Sequence, residues 1–129
     1  MILKFIFNMS ITPVDWIRQV ARIIYEKKGK NVIAIDVCNT SSFADYILIA
    51  TGNVDRHVIF LAQEVERVMR DLGQHTTHIE GLQYGDWIVL DYCRIVIHLF
   101  IAEMRKKYQL ERLWPGGTIV ALDGLKENS

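Results

Sequence analysis

The carboxylates Asp45, Asp55, Glu80, Asp86, Asp91 and Glu103, with the hydroxyls of Ser41 and Ser42 and the imidazoles of His75, His78 and His98, are the side chains that could do chemistry. Paired carboxylates move protons or hold Mg²⁺. A two-metal site of the nucleotidyltransferase kind needs two aspartates one residue apart on a strand, because alternate residues share a face and both must reach the same ions. No Asp-x-Asp occurs in the chain. The enzymatic alternative is therefore a nucleotidyltransferase-like reaction in which Asp45, Asp86 or Asp91 holds Mg²⁺ without that pairing. Ser41 and Ser42 lie in no Gly-x-Ser-x-Gly elbow and read as a serine-rich turn. No phosphate-binding Gly-x-x-x-x-Gly-Lys-Ser/Thr loop is present, and Gly81 and Gly85 open no dinucleotide-type helix. His75 and His78 follow Gly73 with no third metal ligand in sequence reach, so they read as loop histidines. His98 alternates away from Ile97 and Leu99, which fits a histidine hydrogen-bonded beside the core and also a contact residue. No catalytic, cofactor-binding or metal-binding residue is assigned.

What remains is an aromatic set in polar surroundings. Trp87 follows Gly85-Asp86 directly, Tyr84 is close by, and Trp114 sits beside Leu110 and Leu113. Large aromatics ringed by charge anchor protein interfaces; they also cap the edge of a modest core, and the pattern fits both. Fifteen Lys and Arg balance fifteen Asp and Glu, which argues against a protein held on nucleic acid chiefly by phosphate neutralisation. A protein is the expected handle, with no direct sequence-specific contact to nucleic acid.

The elements that position these residues follow from pattern. A length of 129 residues, half of them hydrophobic, fits one folded domain. Thr12-Pro13-Val14-Asp15 reads as a helix start, followed by an apolar face at Ile17, Val20, Ala21 and Ile24 and a stop at Lys27-Lys28-Gly29. Val32–Val37 and Tyr46–Ala50 are short apolar strands. A second helix runs from the Thr51-Gly52-Asn53 turn to Gly73, with its buried stripe at Val58, Leu61, Ala62, Val65, Met69 and Leu72. Thr76–Ile79 reads as a short strand. Trp87–Tyr92 and Arg94–Phe100 are so close that only an antiparallel hairpin joins them. A last helix starts at Ala102. The order α, β, β, α, β, β, β, α implies an α/β (α+β) fold in which a mixed sheet carries flanking helices. Residues 1–11 are expected to be a flexible extension, 12–114 the domain, and 115–129 a loose tail. The Met1–Phe7 stretch is interrupted by Lys4 and lacks a cleavage site, no run reaches bilayer length, and Cys38 and Cys93 are read as reduced thiols. The expected location is the cytoplasm, away from membranes.

In order along the chain, Asp45-Tyr46, Ala50-Thr51-Gly52-Asn53, Asp55-Arg56-His57, His78-Ile79-Glu80-Gly81, Gly85-Asp86-Trp87, Asp91-Tyr92, Val96-Ile97-His98 and Leu110-Glu111-Arg112-Leu113-Trp114 resemble the Iojap-like ribosomal silencing factors. The resemblance covers the chain from about Thr12 to Trp114. It implies a nucleotidyltransferase-like topology without catalysis or cofactor, and a homodimer. It also implies a translational repressor that binds the large ribosomal subunit through ribosomal protein fourteen and blocks joining of the small subunit. Ribosomal proteins are basic, so the expected partner-binding set is Glu80, Tyr84, Asp86, Trp87, Asp91, His98 and Glu103. Two departures stand out. Cys93-Arg94 replaces a frequent Gly-Asp in the hairpin turn, removing a residue suited to positive φ. Val54 replaces a frequent Ser, which would shift capping of the second helix to Asn53 or Thr51.

Overall fold

The computed structural model describes residues 12–122; the expected 1–11 extension and the last seven residues of the tail lie outside the described residues. Thr12 and Asp15 close a reciprocal capping box. The Thr12 N–H donates to Asp15 Oδ2 at 2.9 Å and the Asp15 N–H donates to Thr12 Oγ1 at 3.4 Å, with Pro13 on the first turn. These bonds hold the Asp15 carboxyl below its usual range. The helix they start, α1 (Pro13–Glu26), buries Ile17, Val20, Ala21, Ile23 and Ile24.

The strands β1 (Lys30–Asp36) and β2 (Tyr46–Gly52) pair antiparallel, and α2 (Asp55–Asp71) follows. Then come β3 (His78–Glu80), β4 (Trp87–Asp91) and β5 (Ile95–Ile101), a short helix α3 (Ala102–Tyr108), a 3₁₀ turn (Leu110–Leu113) and β6 (Thr118–Ile119). The sheet order is β3-β4-β5-β2-β1-β6, and β2 with β5 is its one parallel pair among the described residues. The mixed sheet expected from the element order is present. The tail is not loose throughout: Val120 donates to the Ala34 carbonyl at 2.8 Å, and Ile119 and Thr118 pair with Ile35 and Asp36. A two-residue strand carries too little periodicity to be seen in sequence.

Capping of α2 departs from expectation. Val54 is the N-cap and supplies no side-chain bond; Thr51 is buried in β2 instead. His57 takes over the junction. Its Nδ1 accepts the Asn53 N–H at 2.9 Å while Nε2 lies 2.7 Å from the Lys27 carbonyl. An amide can only donate and a carbonyl only accept, so the ring is neutral with its proton on Nε2.

The β4–β5 hairpin keeps its turn despite the substitution at Cys93. Cys93 adopts φ +69° itself, steadied by its N–H donating to Asp91 Oδ1 at 2.7 Å. Arg94 pairs with Asp45 at 3.0 Å, and its carbonyl accepts from the Asp45 and Tyr46 N–H groups. The hairpin end is thereby tied to the start of β2. Cys38 and Cys93 are free and exposed.

One sheet face is covered by α1 and α2, and strand residues such as Leu48, Ile88, Leu90, Ile97 and Leu99 complete that core. The other is covered in part, where Ile35, Ile47, Ile49 and Phe100 pack under Leu110, Met104 and Trp114. The return of the chain over this second face is pinned by Arg105, which is 9% exposed. Its Nη1 donates to Thr51 Oγ1 at 2.9 Å and to the Asn31 carbonyl, and its Nε faces Glu111 at 3.7 Å. Burial lowers its pKa, and Glu111 opposes that shift. Breaking a buried, hydrogen-bonded charge strands its partners. Arg105→Ala is therefore expected to lower unfolding free energy by about 3 kcal/mol, read by urea denaturation; an unchanged midpoint would show that α3 is held by packing alone.

Candidate functional site

Alternation along β4 divides the expected partner-binding residues. Trp87, Val89 and Asp91 point to the second face, whereas Ile88 and Leu90 enter the helix-covered core. Register then places Val89 opposite both Glu80 of β3 and His98 of β5, and Trp87 opposite Phe100. Glu80, Trp87, Asp91 and His98 thus share one sheet face. Tyr84, Asp86 and Glu103 do not join them. They line a separate depression of about 400 Å³ with Asn53, Val54, Asp55, Ile101 and Ala102, where the parallel strands β2 and β5 end. Asp86 precedes Trp87 by one residue, so the two side chains leave the chain on opposite sides.

Trp87 is half-buried inside an aromatic set. The Phe100 ring meets it edge-on at 4.8 Å and Tyr108 tilts against it at 5.0 Å. Its indole N–H donates to His98 Nδ1 at 3.1 Å. That bond fixes the His98 proton on Nε2 and holds the indole in place. Tyr108, 46% exposed, was missed in the sequence because nothing there reveals that α3 folds back across β4. Lys107 stands 5.4 Å above its ring.

The loop between β3 and β4 presents this strand. Its tip is closed by the Tyr84 and Gly85 N–H groups donating to the Gly81 carbonyl at 3.2 and 2.9 Å. Gly81 has φ +90°, and a Cβ there would lie 1.9 Å from the Trp87 carbonyl; Gly85 has φ +76°. Both positions require glycine. Tyr84 is 70% exposed at this tip.

The carboxylates named for the enzymatic alternative are dispersed or engaged. Asp86 and Asp91 flank the ends of β4, about 16 Å apart along an extended chain. Asp45 is held by Arg94, and Asp91 accepts from Cys93. No group of three His, Cys, Asp or Glu side chains placed to hold a metal ion exists among the described residues. His78 is engaged with Glu80 at 2.8 Å, and Ser41 Oγ accepts the Phe43 N–H, as a serine-rich turn would.

Burial pulls the His98 pKa down to about 4 from an ordinary 6.5. The folded state binds this proton less readily than the unfolded state. His98 therefore contributes stability that is complete above pH 6.5 and lost as pH falls toward 4, by up to about 3 kcal/mol. A His98→Gln variant, which keeps an acceptor for the Trp87 indole, is expected to lose less stability over that window in urea titrations; an identical pH profile would contradict the burial argument.

The family described as ribosomal silencing factor during starvation matches residues 10–129. The ribosomal silencing factor RsfS of Halalkalibacterium halodurans is 32% identical over 78% of this chain and 86% of its own, and that of Zymomonas mobilis is 34% identical over 84% and 81%. A mouse protein named for mitochondrial assembly of the ribosomal large subunit is 27% identical over 71% of this chain and 42% of its own. A crystal structure of a Chromobacterium violaceum protein superposes with a TM-score of 0.73 at 27% identity, covering 92% of each chain, and one from Bacillus halodurans with 0.68 at 31%, covering 81% and 95%. With its motifs, mixed sheet and near-complete family match in agreement, this chain belongs to the ribosomal silencing factor family.

Proposed function

We propose that the protein docks on the large ribosomal subunit through ribosomal protein fourteen and represses translation by sterically blocking the small subunit. The observation that carries this reading is the locked aromatic set Trp87–Phe100–Tyr108 on a half-covered sheet face, bordered by Glu80 and Asp91. A partner with an apolar spot ringed by Lys and Arg matches it, and the side chains that meet that partner are already ordered, so little rotamer entropy is lost on binding. Tyr84, Asp86 and Glu103 offer a second, separate acidic contact in the depression where β2 and β5 end, and His98 acts beside Trp87 as its positioning partner. The mechanism needs affinity and bulk at the intersubunit surface and no bond making. The same reading includes a cytoplasmic location and a homodimeric free form, as the family resemblance implies.

Truncating a central aromatic anchor costs about 2 kcal/mol or more of binding energy, which corresponds to roughly thirtyfold in affinity. Trp87→Ala is therefore expected to lose co-sedimentation with purified large subunits at protein concentrations where the wild type saturates them. A folded Trp87→Ala protein that co-sediments as the wild type does would remove this face from the reading.

A further inference from the structure

The formal charge of zero conceals a segregation. From Arg105 to Arg112 the chain carries four cations, Arg105, Lys106, Lys107 and Arg112, against the single carboxylate Glu111. Arg105, Lys106 and Arg112, with Glu111 but without Lys107, border a cleft of about 310 Å³ beside α3, whose lining also includes Asn31, Thr51 and Gln109. Arg105 lines it, and Glu111 Oε1 faces that guanidinium at 3.7 Å. Lys30 stands in register opposite Thr51 at the same end of the sheet. Among the described residues, Lys30, Lys106 and Arg112 form no ion pair with a carboxylate. Such a concentration of free cations, opening on a polar cleft large enough for a phosphate and its sugar, has the chemistry of a sugar-phosphate site.

Its position selects the source of that phosphate. One residue triplet along α3 separates Arg105 from Tyr108, whose ring packs on Trp87. Residues three apart stand side by side on a helix, so this short helix sets the aromatic docking set and the basic cleft next to each other. We infer that the cleft grips the RNA backbone of the large subunit beside the protein contact, without reading sequence. The inference rests on the large-subunit docking just proposed and adds a second partner class to it. An acidic rim meets basic ribosomal protein while a basic cleft meets RNA, and a neutral chain suits a surface that is a mosaic of both.

The test is quantitative binding to purified large subunits across a salt series, and separately to isolated ribosomal protein fourteen. The proteins compared are the wild type, a Lys106→Glu/Arg112→Glu variant, and an Arg18→Glu/Arg22→Glu control. The control makes the same change in net charge on exposed positions of α1, across the sheet. The cleft variant is expected to bind subunits about tenfold more weakly at moderate salt, with the slope of log affinity against log salt reduced by about two. Its binding to the isolated ribosomal protein and its thermal midpoint should match the wild type, and the control should match throughout. Wild-type affinity and slope in the cleft variant would overturn the RNA contact while leaving the docking reading intact. Equal weakening toward the isolated ribosomal protein would assign the cleft to protein, and equal weakening in the control would reduce the effect to net charge; either result overturns it. A wild-type chain that binds no subunits would end both readings.

Discussion

Among the described residues, Arg105 is the one charged side chain that the fold buries, and the shape of the half-covered sheet face depends on it. A six-stranded sheet has two faces to cover, and α1 and α2 occupy one of them fully. The other receives a seven-residue helix and a 3₁₀ turn, too little to close it. Arg105 fastens this short cover by donating to the Asn31 carbonyl and the Thr51 hydroxyl, so that it lies over β1, β2 and β5 and stops at β4. Tyr108 then closes one side of Trp87, and the strip formed by Val89, Asp91 and Glu80 is left to solvent. An isolated helix of this length has almost no stability of its own. Its placement comes from the buried guanidinium and from Leu110 and Met104 beneath it.

Much of this architecture is written locally. The Thr12–Asp15 box, the stripes of α1 and α2, and the short gap between β4 and β5 each specify their element within a few residues, and each is where pattern reading put it. The missing parts are long-range. The parallel pairing of β2 with β5 joins residues about fifty apart, and no local signal announces it. The α2 cap is completed by His57 reaching Lys27, thirty residues earlier, a bond that no capping rule for Ser, Thr or Asn would suggest. The residue types of the candidate set are visible in composition, and their division between two places on the sheet is a matter of register. Asp86 and Trp87 are neighbours in sequence and leave the chain on opposite sides where β4 begins, a consequence of the strand start read at Trp87. Tyr108 and Phe100 escaped notice because their relevance depends on tertiary packing.

The aromatic set is the most ordered feature of the half-covered sheet face. Trp87 packs against the Phe100 and Tyr108 rings and donates its N–H to His98, so it presents a fixed surface rather than a searching side chain. The glycines at 81 and 85 hold the preceding loop against α2 and against the Trp87 backbone, leaving no room for a side chain at either. Rigidity of this kind favours steric function, since a domain that yields on docking obstructs little. The charge pattern completes the picture, with carboxylates around β3 and β4 and cations along α3.

The central claim is that a docked domain physically excludes the small subunit. Light scattering during subunit joining measures this directly. Large subunits saturated with the protein before small subunits are added should show a scattering rise that is strongly reduced, while a Trp87→Ala chain at the same concentration leaves it near the unblocked level. Joining at the unblocked rate and extent on saturated large subunits would contradict the account.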